Sequence, residues 1–368
     1  MNSIRVPYRQ CNRCVMDTSD PLITFDEKGN CNHCNDYLVK LPTALKRGEE
    51  GRIFLGQQIE KARLSGKGKK YDVIMGLSGG MDSSYVAYNA KKFNLRILAV
   101  HLDNGWNSEM SVNNIENCIK YLDADLYTHV IDWEEFKNLQ IAYLKAGVID
   151  IEALTDHAIR SIIYKLAAKY GIEYNLSGYN FPTEGILPTA WVYNKLDFKN
   201  IKSINSRFGG KKIKTFPGMS LVKYIYYRTC TKIKPIDVLN YIDYDVDQAK
   251  SEMEENMSWQ YYGGKHHESI FTKFYQAYIL PEKFGVDKRR AHYSTLICSG
   301  NMNRVDAIKL LSKSIYMEDE LAADMEYVLK KLGISEKEFK IIMSQKSISH
   351  LSYPNNNTLF EFFKQFIS

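Results

Sequence analysis

The sequence predicts an α/β protein: a doubly wound parallel sheet with an N-terminal zinc ribbon and a helical C-terminal region. Three observations predict it. Four apolar runs between residues 71 and 179 are each followed by a polar loop or a helical stretch. Strands that alternate with helices of about ten or more residues belong to parallel sheets. Four of the seven cysteines form two Cys-x-x-Cys pairs near the N-terminus, and the strand–helix alternation stops near residue 186.

The chain has 368 residues, 45% hydrophobic and 25% charged, with a mean hydropathy of -0.36. At roughly 100–200 residues per domain, two or three domains are expected. These values exclude disordered, collagen-like and membrane-embedded chains. No apolar run approaches the ~18 residues of a transmembrane helix. The opening MNSIRVPYRQ lacks the apolar stretch of a secretory signal. A cytoplasmic location with no membrane partner is expected.

The first element is the ribbon, placed at residues 1–45. Cys11 and Cys14 are separated from Cys31 and Cys34 by sixteen residues, the spacing of a four-cysteine zinc site whose tight knuckles each supply two thiolates. Disulfides are the alternative, but a reducing compartment disfavours them. Four sulfurs close the coordination sphere, so the expected zinc is structural, although His33 inside the second knuckle offers a substitute ligand. LITF, between the knuckles, reads as a short strand. Residues 40–70 read as a helix and a linker.

The nucleotide-binding layer is placed at 66–185. YDVIMGL (71–77), LRILAVHLD (95–103), LYTHVID (126–132) and EYNLSGY (173–179) are its strands, and one long helical region covers about 133–170. Between the first strand and its helix stands Ser78-Gly79-Gly80-Met81-Asp82-Ser83-Ser84. Two glycines let backbone approach a phosphate, and the helix that follows aims its free N–H groups at the anion. Ser78, Ser83 and Ser84 add hydroxyls. No lysine is built in, so this is not a Walker A loop; a plain Gly-Gly turn is the bland alternative. His101, Asp103 and Asn104 follow the second strand and Gly178 follows the fourth, at the sheet edge where ligands bind.

From 186 to 368 the chain reads as a long basic loop followed by helices. Lys195 to Lys234 holds eleven basic residues against one acid, a local charge of about +10, in a chain whose total is +6. Such a stretch points to an anionic ligand or partner, or to a solvated loop.

The SGGMDSS loop resembles the PP-loop of N-type ATP pyrophosphatases, which grip the β,γ-pyrophosphate of ATP and leave the α-phosphate open. That resemblance makes Asp82 the magnesium-side carboxylate, His101, Asp103 and Asn104 part of the adenosine site, and Gly178 part of the glycine motif closing over the nucleotide. The ribbon CNRCVMDTSDP…CNHC, this loop, and the run YYGGKHHESIFTKFYQAYILPEKFGVDKRRAHYSTLICSG (261–300) together resemble the N-acetyl sugar amidotransferases of bacterial surface-polysaccharide and flagellar sugar biosynthesis. The likeness covers residues 8 to about 310.

It implies ATP, Mg2+ and structural Zn2+, and an anionic N-acetylated sugar, a nucleotide sugar or nonulosonic acid, as substrate. Ammonia would come from a separate glutaminase subunit, together with a cyclase-like partner in some relatives, because no glutaminase module is visible. The product would carry an acetamidino group. Lys265 is the candidate for pyrophosphate neutralisation, although a surface lysine leading a helix reads the same. His266, His267 and Glu268 are candidates for proton removal from ammonium, and Arg289 and Arg290 for substrate contacts. A PP-loop tRNA-modifying enzyme of the thiolase type is the alternative, and a non-enzymatic ATP-binding scaffold a third reading. Against nucleic acid, no cysteine lies at the loop or the strand ends.

Overall fold

The structure is a computed structural model and describes residues 7–263 and 268–367. Its first segment is organised around sulfur rather than strands. LITF yields an isolated bridge between Phe25 and Cys31, not the expected strand, because nearby amides such as Cys31 N–H turn toward the Cys11 sulfur. Helix α1 (Asn32–Ala44) starts from Cys31, whose side chain accepts from Cys34 N–H, and α2 (Gly48–Ser65) follows.

The sheet is then built in sequence order: β1 (Val73–Gly76), α3 (Met81–Ala90), β2 (Ile97–Asp103), α4 (Glu109–Leu122) and β3 (Asp125–Val130). The long helical region of the sequence is two helices, α5 (Trp133–Ala146) and α6 (Ala153–Tyr170). Gly147, at φ 66°, ends the first in a left-handed turn that favours glycine. Strand β4 (Tyr174–Ser177) and the short α7 (Phe181–Glu184) complete this part.

Beyond residue 186 the structure departs from the expected basic loop. Residues 195–234 contain α8 (Phe198–Phe208) and α9 (Leu221–Thr229), and Lys234 begins a fifth strand, β5 (Lys234–Asp237). Four residues including Pro235 carry no strand periodicity, and proline is tolerated there because β5 is an edge strand. The rest is helical: α10 (Val246–Met257), α11 (Ile270–Phe274), a π turn at Tyr275–Ile279, α12 (Leu280–Phe284), α13 (Arg289–Cys298), α14 (Arg304–Leu311), α15 (Glu318–Leu332), α16 (Glu336–Ser344) and α17 (Asn357–Ile367).

All five strands are parallel, in the order β3-β2-β1-β4-β5. Side chains alternate across the sheet, so each face builds its own core. Val73, Met75, Ile97 and Ala99 pack with α2, α3, α4 and α10. Ile74, Leu98 and Val100 pack with α5, α6 and the C-terminal helices. Burying one such aliphatic side chain contributes about 1.5–3 kcal/mol. Strand order reverses between β1 and β4, and ligands of open α/β sheets bind at the carboxyl ends of strands flanking such a switch point. The SGGMDSS loop leaves β1 and Gly178 leaves β4. No described helix is long and apolar enough to cross a membrane.

Candidate functional site: a pyrophosphate loop strapped by the C-terminal segment

The loop after β1 is rigid by its own chemistry. Ser78 Oγ accepts from Gly80 N–H at 3.2 Å and lies 3.1 Å from Ser83 Oγ, which donates to Gly80 O at 3.2 Å. Gly79 has φ 78°, and a Cβ there would lie 2.3 Å from Ser111 O, so only glycine fits. Met81, Asp82 and Ser83 supply the first amides of α3, which have no intrahelical partners. The Asp82 carboxylate in this turn is favoured by the helix dipole by about 0.3–1 kcal/mol. Across the switch point, a Cβ built on Gly178 would stand 3.4 Å from Ser83 N, so β4's exit runs against the start of α3.

Other expected contacts are spent inside the protein. Ser84 is fully buried next to Cys118 and faces the core rather than a nucleotide, because it lies on the inner side of α3. His101 is buried, with Nδ1 3.1 Å from Leu77 O and Nε2 3.1 Å from Asn107 Nδ2. Carbonyl and amide partners define a neutral ring: Nδ1–H donates and Nε2 accepts, and burial pushes its pKa down. It braces the ends of β1 and β2. Asp103 Oδ1 accepts from Gly105 N–H (2.9 Å), and Asn104 joins Trp106 N–H (3.1 Å) to Thr155 Oγ1 (3.3 Å). Both side chains shape the turn after β2.

Residues from α4 and from the C-terminal part reach the loop, and of them the sequence reading singles out only Glu268. Trp259 Nε1–H donates to Gly79 O at 3.2 Å, and Asn114, paired with Gln260, reaches the same carbonyl at 3.4 Å. Met81 N–H donates to the Tyr262 hydroxyl at 2.7 Å. Glu268 Oε1 lies 3.1 Å from where a Cβ on Gly80 would sit, and the Glu268 carbonyl accepts from Ser108 N–H at 3.0 Å. The tyrosine-glycine run at 261 was the one available signal. Tyr244 had none: its hydroxyl donates to Asp82 Oδ1 at 2.6 Å. Burial, then the charge of Asp82, pushes the Tyr244 pKa far up. A carboxylate beside a phosphate-type loop suits a hard divalent cation.

Lys265, His266 and His267 lie outside the described residues. Arg289 and Arg290 are occupied structurally. Arg289 pairs with Asp287 (2.8 Å) and caps the carbonyls of Leu310 and Lys313, closing the end of α14. Arg290 pairs with Asp17 (2.9 Å) and donates to Val15 O, tying the ribbon to α13.

Cys11, Cys14, Cys31 and Cys34 are fully buried, and their sulfurs all lie within 4.8 Å of one another. The pairs Cys14–Cys31 at 3.5 Å and Cys11–Cys34 at 3.7 Å are free thiols, and a tetrahedral ion bonded at about 2.3 Å sets its ligands about 3.8 Å apart. The set fits a metal. His33 is not part of it: Nε2 meets Asp20 Oδ2 at 2.6 Å.

Two family profiles match the chain. Residues 72–165 match one described as queuosine biosynthesis protein QueC, and residues 268–367 match one described as LPS biosynthesis protein WbpG-like, C-terminal domain. No curated protein matches. Among solved structures, the NH3-dependent NAD synthetase of Campylobacter jejuni, in complex with the nitrate ion, is similar at 14% identity and a TM-score of 0.31, over 57% of this chain and 85% of that one. The NMN synthetase of Francisella tularensis is similar at 15% identity and a TM-score of 0.30, over 66% and 92%. With its SGGMDSS loop at the switch point of a parallel sheet and its match to a PP-loop family over residues 72–165, the chain is consistent with the PP-loop ATP pyrophosphatase superfamily, which implies ATP and Mg2+, and residues 268–367 are a WbpG-like C-terminal domain.

Proposed function

We propose that this protein is an AMP-forming sugar amidotransferase that converts an N-acetyl group of a surface-glycan precursor into an acetamidino group. The observation that carries the reading is the strapping of the loop at Gly79, Met81 and Gly80 by Trp259, Tyr262 and Glu268, whose segment leads into the WbpG-like domain at residue 268. One centre therefore brings together nucleotide-gripping backbone and the domain matched to a lipopolysaccharide biosynthesis protein. Residues 1–45 serve as a structural zinc ribbon, 66–185 as the nucleotide domain and 186–368 as the substrate region, which lends the sheet its fifth strand.

An acetamide carbonyl is a poor electrophile, so it must be activated. Its oxygen attacks the α-phosphate of ATP, giving an O-adenylated imidate and releasing pyrophosphate. Ammonia adds to the imidate carbon, and AMP leaves with the oxygen. The loop amides and hydroxyls hold the departing pyrophosphate, and positioning with charge stabilisation supplies the catalysis. Mg2+, held from Asp82, neutralises phosphate charge when bound. Ammonia comes from a separate glutaminase, in the cytoplasm.

The test is purified protein with ATP, Mg2+, ammonium and a panel of N-acetylated nucleotide sugars and nonulosonic acids. AMP, pyrophosphate and a product lighter by the difference between O and NH are expected; ADP and phosphate would overturn the reading. Asp82→Asn lowers kcat by about two orders of magnitude, the scale of one lost charge-stabilising group. The match of residues 72–165 to a queuosine biosynthesis protein favours a second reading, a tRNA-modifying enzyme. Cys118, on the helix packed against the loop's helix, is fully buried and ill placed for sulfur transfer. Tight tRNA binding without amidination would support that reading instead.

A further inference from the structure

We propose that Tyr244 is a positioning residue that works through Asp82, fixing the orientation in which that carboxylate meets the divalent cation of the bound nucleotide. The inference rests on the ATP reading above. Tyr244 stands seven residues past the end of β5 and is 6% exposed. Its hydroxyl donates to Asp82 Oδ1 at 2.6 Å, and its ring stacks on Tyr85 of α3 at 5.4 Å and 28°. Tyr85 in turn donates to Glu252 at 3.0 Å, so the stack is pinned at both ends. The phenol has one proton to give, and it goes to Asp82 Oδ1.

The same short segment also anchors α7. Asn240 Oδ1 accepts from Phe181 N–H at 2.7 Å, at the start of α7, whose last residue is Glu184. Residues 240 and 244 therefore hold the start of α7 and the Asp82 carboxylate of α3 from one short segment. A hydrogen bond to an ionised carboxylate is shorter and about twice as strong as a neutral one, and it favours the charged form that a cation needs. Burial beside Asp82 holds the Tyr244 proton on the phenol, so it remains a donor across the neutral range. Loss of such an outer partner weakens metal binding about 10–100-fold.

Mn2+ is the probe. Its free concentration, followed by its paramagnetic resonance signal, is titrated against full-length protein holding an ATP analogue with a methylene α,β-bridge. Tyr244→Phe, which keeps the ring stack, should bind Mn2+ about 10–100-fold more weakly, while AMP formation from ATP recovers at high metal. Asp82→Asn should weaken Mn2+ at least as much, and the double variant should lose nothing further. Wild-type-like Mn2+ affinity in Tyr244→Phe, an additive double variant, or unchanged affinity in Asp82→Asn would each overturn the inference. Failure of the wild type to hold the Mn2+ nucleotide would overturn the ATP reading itself, and this inference with it.

Discussion

The backbone N–H of Met81 donates to the hydroxyl of Tyr262 at 2.7 Å, joining the first helical amide after the loop to a residue 181 positions away. The neighbouring Gly79 carbonyl is held by Trp259, three residues before that tyrosine. The shape of the pyrophosphate loop is therefore set partly by the chain that leads into the C-terminal domain.

Tyr262→Phe removes the acceptor and strands the Met81 amide in a partly buried turn. A stability loss of about 1–3 kcal/mol is expected, the cost of an unsatisfied donor. Urea unfolding measures it, and the KM for ATP should rise in the same variant. Unchanged values for both would show that the contact holds nothing in place.

The cysteine cluster should hold one zinc per chain by elemental analysis. Arg304 donates to the carbonyls of Cys11 and Cys14 at 3.0 Å each, and Val15 N–H donates to Ser294 at 3.1 Å, so the ribbon is bonded to α13 and α14. Metal loss should therefore spread into the C-terminal helices. Cys14→Ser is expected to cost on the order of 4 kcal/mol or more, as when a structural metal is lost. A zinc-free protein with unchanged melting would refute this.

Of the buried histidines, His157 and His350 make the fold most acid-sensitive. His157 Nδ1–H donates to Lys195 O and Nε2 accepts from Met219 N–H; His350 sits likewise between Asn200 and Asp150 N–H. Burial lowers both from the usual 6.5 to about 4. The unfolded chain takes up these protons first, so their stabilisation is complete above about pH 6.5 and is lost as pH falls towards 4. Each withdraws on the order of 3 kcal/mol across that window. Urea midpoints at about pH 7.5 and 5, on either side of the unfolded-state value, measure the loss, and His157→Gln should flatten it.

The basic segment divides into an anchored part and a surface part. Glu135 takes the backbone N–H groups of Lys214, Thr215 and Phe216, at 2.8, 3.0 and 2.9 Å, and these hydrogen bonds hold its pKa below the usual range against the opposing pull of burial. Glu135→Ala should cost about 3 kcal/mol, because three amides lose one charged acceptor. Lys211, by contrast, makes an exposed 3.0 Å pair with Glu134, worth at most about 1 kcal/mol. Changing Lys211, Lys212 and Lys214 together to alanine should leave melting nearly unchanged and raise the sugar KM or impair glutamine-dependent turnover. An unaltered enzyme would leave these lysines as solvated surface.

Much of this protein is written locally. Cysteine spacing marks the metal knuckles, runs of seven to nine residues mark four strands, and a Gly-Gly turn before a helix marks the anion cradle. Each signal needs only neighbours within one turn or one strand. The rest depends on partners that no local pattern names. Strand β5 is too short and too polar to read, and it becomes a strand only because β4 offers it an unpaired edge. Lys195 reads as part of a loose basic tract, yet it is 17% exposed and paired at 2.6 Å with Asp150. His101 and Asn104 read as ligands, and the structure shows both side chains also bracing the strand end, because buried polar groups there must be satisfied. Tyr244 meets Asp82 across 162 residues. Composition made tyrosines plentiful, and only packing, which buries one phenol against one carboxylate, decided which of them belongs to the site.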